Sequence, residues 1–153
     1  MEKLGWFGYF LGCYKKCFKF SGRASRTEYW SFQLFKWIIY ILFLLLANTF
    51  DIYNEYASFG FWILIILNLF ADISVCIRRL HDIDVSTKQW VYLVLIPYML
   101  SIISPIFKGT FIFAFIVFYV IAAAIRVFCF TIQAGDIVEN QYGLPPEDEK
   151  SQK

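Results

Sequence analysis

The chain has 153 residues, of which 59% are hydrophobic, 22% aromatic and 17% charged, with a net charge of +2. Soluble domains carry about 45–50% apolar and about 25% charged residues, and a water-soluble chain of this length has too much surface to hide so much Phe, Ile and Leu. The composition excludes an ordinary soluble domain and makes lipid the natural solvent, while the length suits one compact domain.

From the N-terminus, residues 4–20 read LGWFGYFLGCYKKCFKF. On a helical wheel of about 100° per residue, Gly5, Gly8, Gly12, Lys15, Lys16 and Lys19 share an arc of roughly 100°. Trp6, Phe7, Tyr9, Phe10, Cys13, Tyr14, Cys17 and Phe18 lie opposite. This is the pattern of an amphipathic helix in the membrane interface, aromatics inward and lysines toward anionic headgroups. The glycines weaken helix propensity, which equally suits an irregular segment that orders on lipid. Ser25 and Glu28 then have the S-x-x-E spacing of a capping box, which starts a helix at Arg26.

Four stretches match the roughly 20 residues that a helix needs to cross a hydrocarbon core: Tyr29 to Phe50, Ala57 to Ile77, Trp90 to Ile106 and Phe111 to Ile132. None alternates in polarity as a barrel strand does, and backbone groups in lipid must pair internally. The expected fold is all-α, an integral membrane four-helix bundle with an N-terminal amphipathic interfacial helix. Ser86 and Gln89 repeat the capping-box spacing before the third stretch. Pro97 leaves the carbonyl of Leu93 without its usual donor and predicts a kink.

Basic residues set the orientation. Lys3, Lys15, Lys16, Lys19, Arg23 and Arg26 precede the first stretch, none lies in Asp51 to Tyr56, Arg78, Arg79 and Lys88 follow the second stretch, and Lys108 follows the third. Both termini and the second connection are expected in the cytoplasm. The organisation is then residues 1–28, a cytoplasmic interfacial segment with a first motif; 29–133, the transmembrane domain; and 134–153, a polar cytoplasmic tail. The tail's end, with Pro145, Pro146 and the acidic run Glu147, Asp148 and Glu149, is expected to be solvated and disordered.

Ionisable groups inside a membrane helix invite a functional hypothesis. Lys36 lies near enough to the cytoplasmic face to snorkel. Asp72 lies roughly 9 Å and Arg126 roughly 10 Å below that face at about 1.5 Å per residue. The matched depth predicts an Asp72–Arg126 ion pair, with Asn68 and Arg79 extending the polar stripe. The structural reading is a bridge that fixes helix register; the functional one is a cytoplasm-facing cavity for an anion or headgroup.

The segment SVCIRRLHDID, residues 74–84, holds the chain's one histidine, His81, beside Asp82. A carboxylate can orient a general-base imidazole, yet neighbours on a helix do not face each other, and no nucleophile, phosphate loop or HExxH motif accompanies them. A zinc site from Cys13, Cys17 and His81, or a divalent cation held by Asp82, Asp84 and phosphate, is a minor reading, and no metal, cofactor or catalytic residue is assigned. The competing reading is a loop that pins the helix end, with Arg78 and Arg79 on lipid phosphates. Basic residues at a membrane surface argue against nucleic acid, and four cysteines without a C-x-x-C pair fit a reduced compartment.

Three patches in this order, FSGRASRTEYWSFQLF, RRLHDI and AGDIVENQYGLPP, resemble the small bacterial inner-membrane family known as domain of unknown function 805. The resemblance spans about Phe20 to Pro146. In that family the histidine loop usually continues with glycines, where this chain has Asp84-Val85-Ser86-Thr87, and Ala134 stands where proline is usual. The resemblance implies a multi-pass inner-membrane protein and groups Gly22, Arg23, Ser25, Arg26, Glu28, Arg78, Arg79, His81, Asp82, Asn140, Tyr142 and Gly143 into one cytoplasmic cap. The expected role is non-enzymatic: interaction with membrane lipids through their anionic headgroups, with a membrane protein partner, or with further copies of the chain. The alternatives are an oligomeric transporter or channel that uses Asn68, Asp72 and Arg126, and a lipid-modifying enzyme that uses His81 and Asp82.

Overall fold

Each long apolar stretch folds into a helix, as internal pairing of backbone groups in lipid demands. The computed structural model describes residues 5–49 and 55–146, with backbone alone for 55–58 and 90. Phe50, most of the first connection and the acidic end of the tail lie outside the described residues. The helices are α1 (Trp6–Lys15), α2 (Arg26–Thr49), α3 (Glu55–Asp82), α4 (Thr87–Phe107) and α5 (Phe111–Ile132). Apart from one isolated bridge between Asn140 and Gly143, the described residues hold no strand. Four of the helices, α2 to α5, are long and apolar enough to cross a membrane.

α2 begins at Arg26 as the capping spacing predicts, with the Glu28 amide donating to Ser25 Oγ at 3.1 Å. The second box does not form: Ser86 offers its backbone carbonyl to the Gln89 amide at 2.9 Å and makes no side-chain cap. A cap not foreseen appears before α5, where Thr110 Oγ1 accepts from the Phe113 amide at 3.4 Å.

α4 is irregular because of its two prolines. It widens into a π turn over Val91–Leu95, immediately before Pro97, and tightens into a 3-10 turn over Ser104–Phe107 around Pro105. In a turn of π width the carbonyl of Tyr92 would bond the nitrogen of residue 97, which in proline carries no hydrogen. The Tyr119 hydroxyl of α5 donates to that carbonyl instead, at 2.8 Å. Likewise Ser104 Oγ donates at 2.9 Å to the carbonyl of Ser101, which Pro105 leaves without a backbone donor. The predicted kink is thus a widened turn stapled to a neighbouring helix.

α3 runs through the charged stretch to Asp82, so RRLHD is helix, and the connection to α4 is Ile83 to Ser86. It ends in a Schellman motif, with the Val85 amide on the carbonyl of Leu80 at 2.9 Å and the Asp84 amide on that of His81 at 3.2 Å. Asp84 takes the left-handed conformation, φ 58°, that glycine usually fills.

The core gathers at the charged end of the bundle. Phe10 and Cys13 of α1, Tyr29 and Phe32 of α2, and Ala71, Val75, Cys76 and Leu80 of α3 are buried together with Ala24. Away from that end, Leu42 and Leu45 of α2 and Phe115 and Phe118 of α5 point outward, as suits helices whose solvent is hydrocarbon.

Candidate functional site

The ends of α2 and α3, the start of α4, the end of α5 and both terminal flanks meet at one end of the molecule, around three arginines and two carboxylates. Arg78 is 2% exposed, and Arg79 and Asp82 are fully buried. The expectation that Arg78 and Arg79 reach lipid phosphates is therefore corrected. A guanidinium held this deep needs protein acceptors, and the fold supplies a carboxylate to each, leaving Arg78 Nη2 as the one nitrogen of the two groups without an acceptor among the described residues.

Asp82 sits between two arginines. Its Oδ1 accepts from Arg23 Nε at 2.8 Å, and its Oδ2 pairs with Arg79 Nη1. Arg79 also donates from Nε to the carbonyl of Thr131 at 3.3 Å and from Nη2 to that of Gln133, both at the end of α5. Arg23 donates to the carbonyls of Val138 at 2.9 Å, Gly143 at 3.3 Å and Asp136. The tail therefore folds back over the bundle as a strap, fastened also by the Asp136 amide on the carbonyl of Asp82 at 2.9 Å.

A second ion cluster surrounds Glu28. Its Oε1 accepts from Arg78 Nη1 at 2.7 Å and Lys16 Nζ at 3.2 Å, with Cys13 Sγ at 3.9 Å. The residue that completes the capping spacing thus spends its carboxylate on Arg78. Burial pushes the Cys13 thiol up to about 12, and the neighbouring Glu28 charge adds to the rise. Ser74 Oγ lies 2.7 and 2.8 Å from the carbonyls of Lys16 and Lys19, tying the end of α1 to α3. Arg26 starts α2 half-buried beside this cluster.

His81 is engaged on every side. Its Nδ1 lies 3.2 Å from the carbonyl of Gly22, which can only accept, so that nitrogen carries a proton. Nε2 lies 2.8 Å from Thr87 Oγ1. The ring lies against that of Tyr142, 3.8 Å between centroids and 3° from parallel. Asn140 Nδ2 donates to the carbonyl of His81 at 2.9 Å, and Asn140 Oδ1 accepts from the Tyr142 amide at 3.0 Å. Gly22 and Gly143 have φ of 87° and 113°, which explains glycine at both turns. Among the described residues no three His, Cys, Asp or Glu side chains gather as a metal site. Asp84, set apart from Asp82, accepts from Gln141 Nε2 at 2.9 Å.

The intramembrane residues do not form the expected stripe. Asp72 pairs with Lys36 Nζ at 2.8 Å and accepts from Gln33 Nε2 at 2.8 Å, whereas Arg126 stands exposed on α5. Asn68 turns to α1, accepting from the Tyr14 hydroxyl at 2.6 Å, and Arg79 belongs to the cap. Lys36 is as far past the start of α2 as Asp72 is before the end of α3, which places the two charges at equal depth on antiparallel helices.

The comparisons agree with this architecture. The family model described as "Protein of unknown function (DUF805)" matches residues 17–144. The chain is 30% identical over 102 residues to "Inner membrane protein YhaI" of Escherichia coli (strain K12), covering 67% of this chain and 83% of that protein. The same values hold for the protein of that name in Escherichia coli O157:H7. No solved structure matches the chain. Four membrane-length apolar helices in a chain related to inner membrane proteins make this an inner-membrane protein. With the family model covering every element from the turn after α1 to the strap, the chain belongs to the family of proteins of unknown function DUF805.

Proposed function

We propose that this chain is a non-enzymatic interaction protein of the inner membrane, whose charged cap locks four helix ends and the C-terminal strap into one fixed surface at the cytoplasmic face. The observation that carries this reading is Asp82, fully buried and divided between Arg23 and Arg79. A reacting carboxylate must be reachable, and a reacting imidazole needs a nitrogen free for substrate. Here the carboxylate is enclosed by guanidinium groups, and both nitrogens of His81 are engaged within the protein. The exposed lysines support the orientation: among the described residues Lys15, Lys16, Lys19 and Lys88 lie at the cap end, and Lys108 alone lies at the other. The ligands that suit this surface are anionic lipid headgroups, a membrane protein partner or another copy of the chain. A transporter reading loses support because Asp72 is neutralised by Lys36 and Asn68 is buried against Tyr14.

The test compares Arg23→Gln and His81→Gln with the parent protein, by accumulation in the membrane and by thermal unfolding in mild detergent. Both variants are expected to accumulate less and unfold earlier. Parental accumulation and unfolding in both, with loss of the cellular phenotype in His81→Gln alone, would overturn the structural lock in favour of a reactive centre. A reporter fused to the C-terminus that is active outside the cytoplasm would overturn the orientation.

A further inference from the structure

The outward side of α1 carries a recess of about 370 Å³ lined by Gly8, Leu11, Gly12, Lys15, Lys16 and Glu28. The recess is open: a Cβ built on Gly12 would meet nothing within 4 Å. Leu11 of the lining and Phe7, one turn before it, are exposed. Lys15 follows Phe7 and Leu11 at i, i+4 spacing along one ridge of α1, which places the two chemistries of a phospholipid side by side.

The local charge favours an anion. Lys15, Lys16 and Arg78 stand against the single carboxylate of Glu28, which Lys16 and Arg78 already neutralise. Arg78 lies behind Glu28 and outside the lining of the recess, so its charge adds to the field while Lys15 and Lys16 are the cations an anion meets. A free phosphate would use the lysines but not the apolar edge, whereas a lipid uses both.

We infer that this recess is a headgroup site for an anionic phospholipid, with the phosphodiester between Lys15 and Lys16 and the glycerol and first acyl carbons over Gly12 and Leu11. The inference rests on the reading above in one respect, that the cap end lies at a membrane surface. It goes beyond that reading in naming the ligand's chemistry and its residues. The glycines then have a purpose that helix propensity does not explain: they leave room for the lipid.

The full chain in mild detergent, offered equal amounts of phosphatidylglycerol and phosphatidylcholine with the same acyl chains, is read by native mass spectrometry. Phosphatidylglycerol is expected to be retained at least about fivefold over phosphatidylcholine, and Lys15→Gln to weaken its retention about fivefold, the effect of one surface lysine on binding an anionic membrane. Gly12→Phe fills the recess without changing charge and should abolish the preference. Lys108→Gln, at the other end of the bundle, should leave it intact. Equal retention of the two lipids, no effect of Lys15→Gln, or displacement of phosphatidylglycerol by an equal concentration of inorganic phosphate would overturn the site. Should Gly12→Phe fail to accumulate, the exposed Lys15→Gln carries the decision alone. A failed lipid preference alongside unstable Arg23→Gln and His81→Gln proteins sinks the headgroup site but not the structural cap.

Discussion

His81 and Tyr142 lie flat on one another, 3.8 Å between ring centroids and 3° from parallel, although they are 61 positions apart in the chain. The stack is one of the fastenings of the strap over the cap, beside the bonds of Arg23 to tail carbonyls. An aromatic pair contributes about 1 kcal/mol beyond its buried area, so Tyr142→Ala should raise the rate of proteolysis within the strap by about fivefold, whereas Tyr142→Phe should stay near the parent. Limited digestion in detergent followed by intact-mass analysis reads both rates, and equal rates for Tyr142→Ala and the parent would show that the stack fastens nothing.

Asp82 serves two buried guanidinium groups at once. Its replacement by Asn leaves Arg23 and Arg79 without their counter-charge, and removal of one partner from a buried pair costs about 3–5 kcal/mol. Asp82→Asn is therefore expected to be among the least stable single variants, with little protein in the membrane fraction. Glu28→Gln should also destabilise. Its pairing with Arg78→Met should recover part of that loss, because the orphaned charge leaves with its partner. A double variant less stable than either single one would refute the pairing.

Inside the membrane, the pair is Lys36 with Asp72. The exchange Lys36→Asp with Asp72→Lys should restore thermal stability that each single change removes. Arg126→Gln, at an exposed position, should unfold with the parent. Should Arg126→Gln and Asp72→Asn prove equally damaging, the assignment of the pair is wrong.

Asp84 holds a left-handed φ of 58° at the end of α3. Glycine takes that conformation without strain, so Asp84→Gly is expected to stabilise by up to about 1 kcal/mol, less what the Gln141 contact contributes. Asp84→Val, β-branched at the same angle, should destabilise. Thermal midpoints measured side by side settle the sign.

For Cys13, burial raises the pKa from 9.0 to about 12. At pH 8 the thiolate fraction falls from about one in ten to about one in ten thousand, and the thiolate is the nucleophile. Maleimide at pH 8 should therefore label the half-buried Cys17 well before Cys13, with Cys13 reacting only after unfolding. Peptide mapping after timed labelling reads the order directly.

Composition and hydropathy were enough to read four membrane-length helices, because lipid leaves the backbone no other economical form. The start of α2 was legible in Ser25, since capping is a local signal. The ion pairing was not. Arg126 and Lys36 both lie at suitable depth for Asp72, and depth alone says nothing of which way a helix is rotated. Nor did the polar tail announce a strap, for its fastening depends on backbone carbonyls at Asp136, Val138 and Gly143, and every residue has one. The failed capping box at Ser86 teaches the same lesson: the spacing was right, but the Gln89 amide takes the backbone carbonyl of Ser86.

Arg23 reaches carbonyls at positions 136, 138 and 143, more than a hundred residues downstream. The cap therefore cannot close while the chain is still being made. Until the last stretch leaves the ribosome, Arg23 and the end of α3 wait with their charges open at the membrane surface. A chain cut before Asp136 would lack the three tail carbonyls and leave Arg23 with Asp82. Closure of the cap thus comes late in synthesis by geometry alone, since the acceptors of Arg23 lie beyond the last membrane helix.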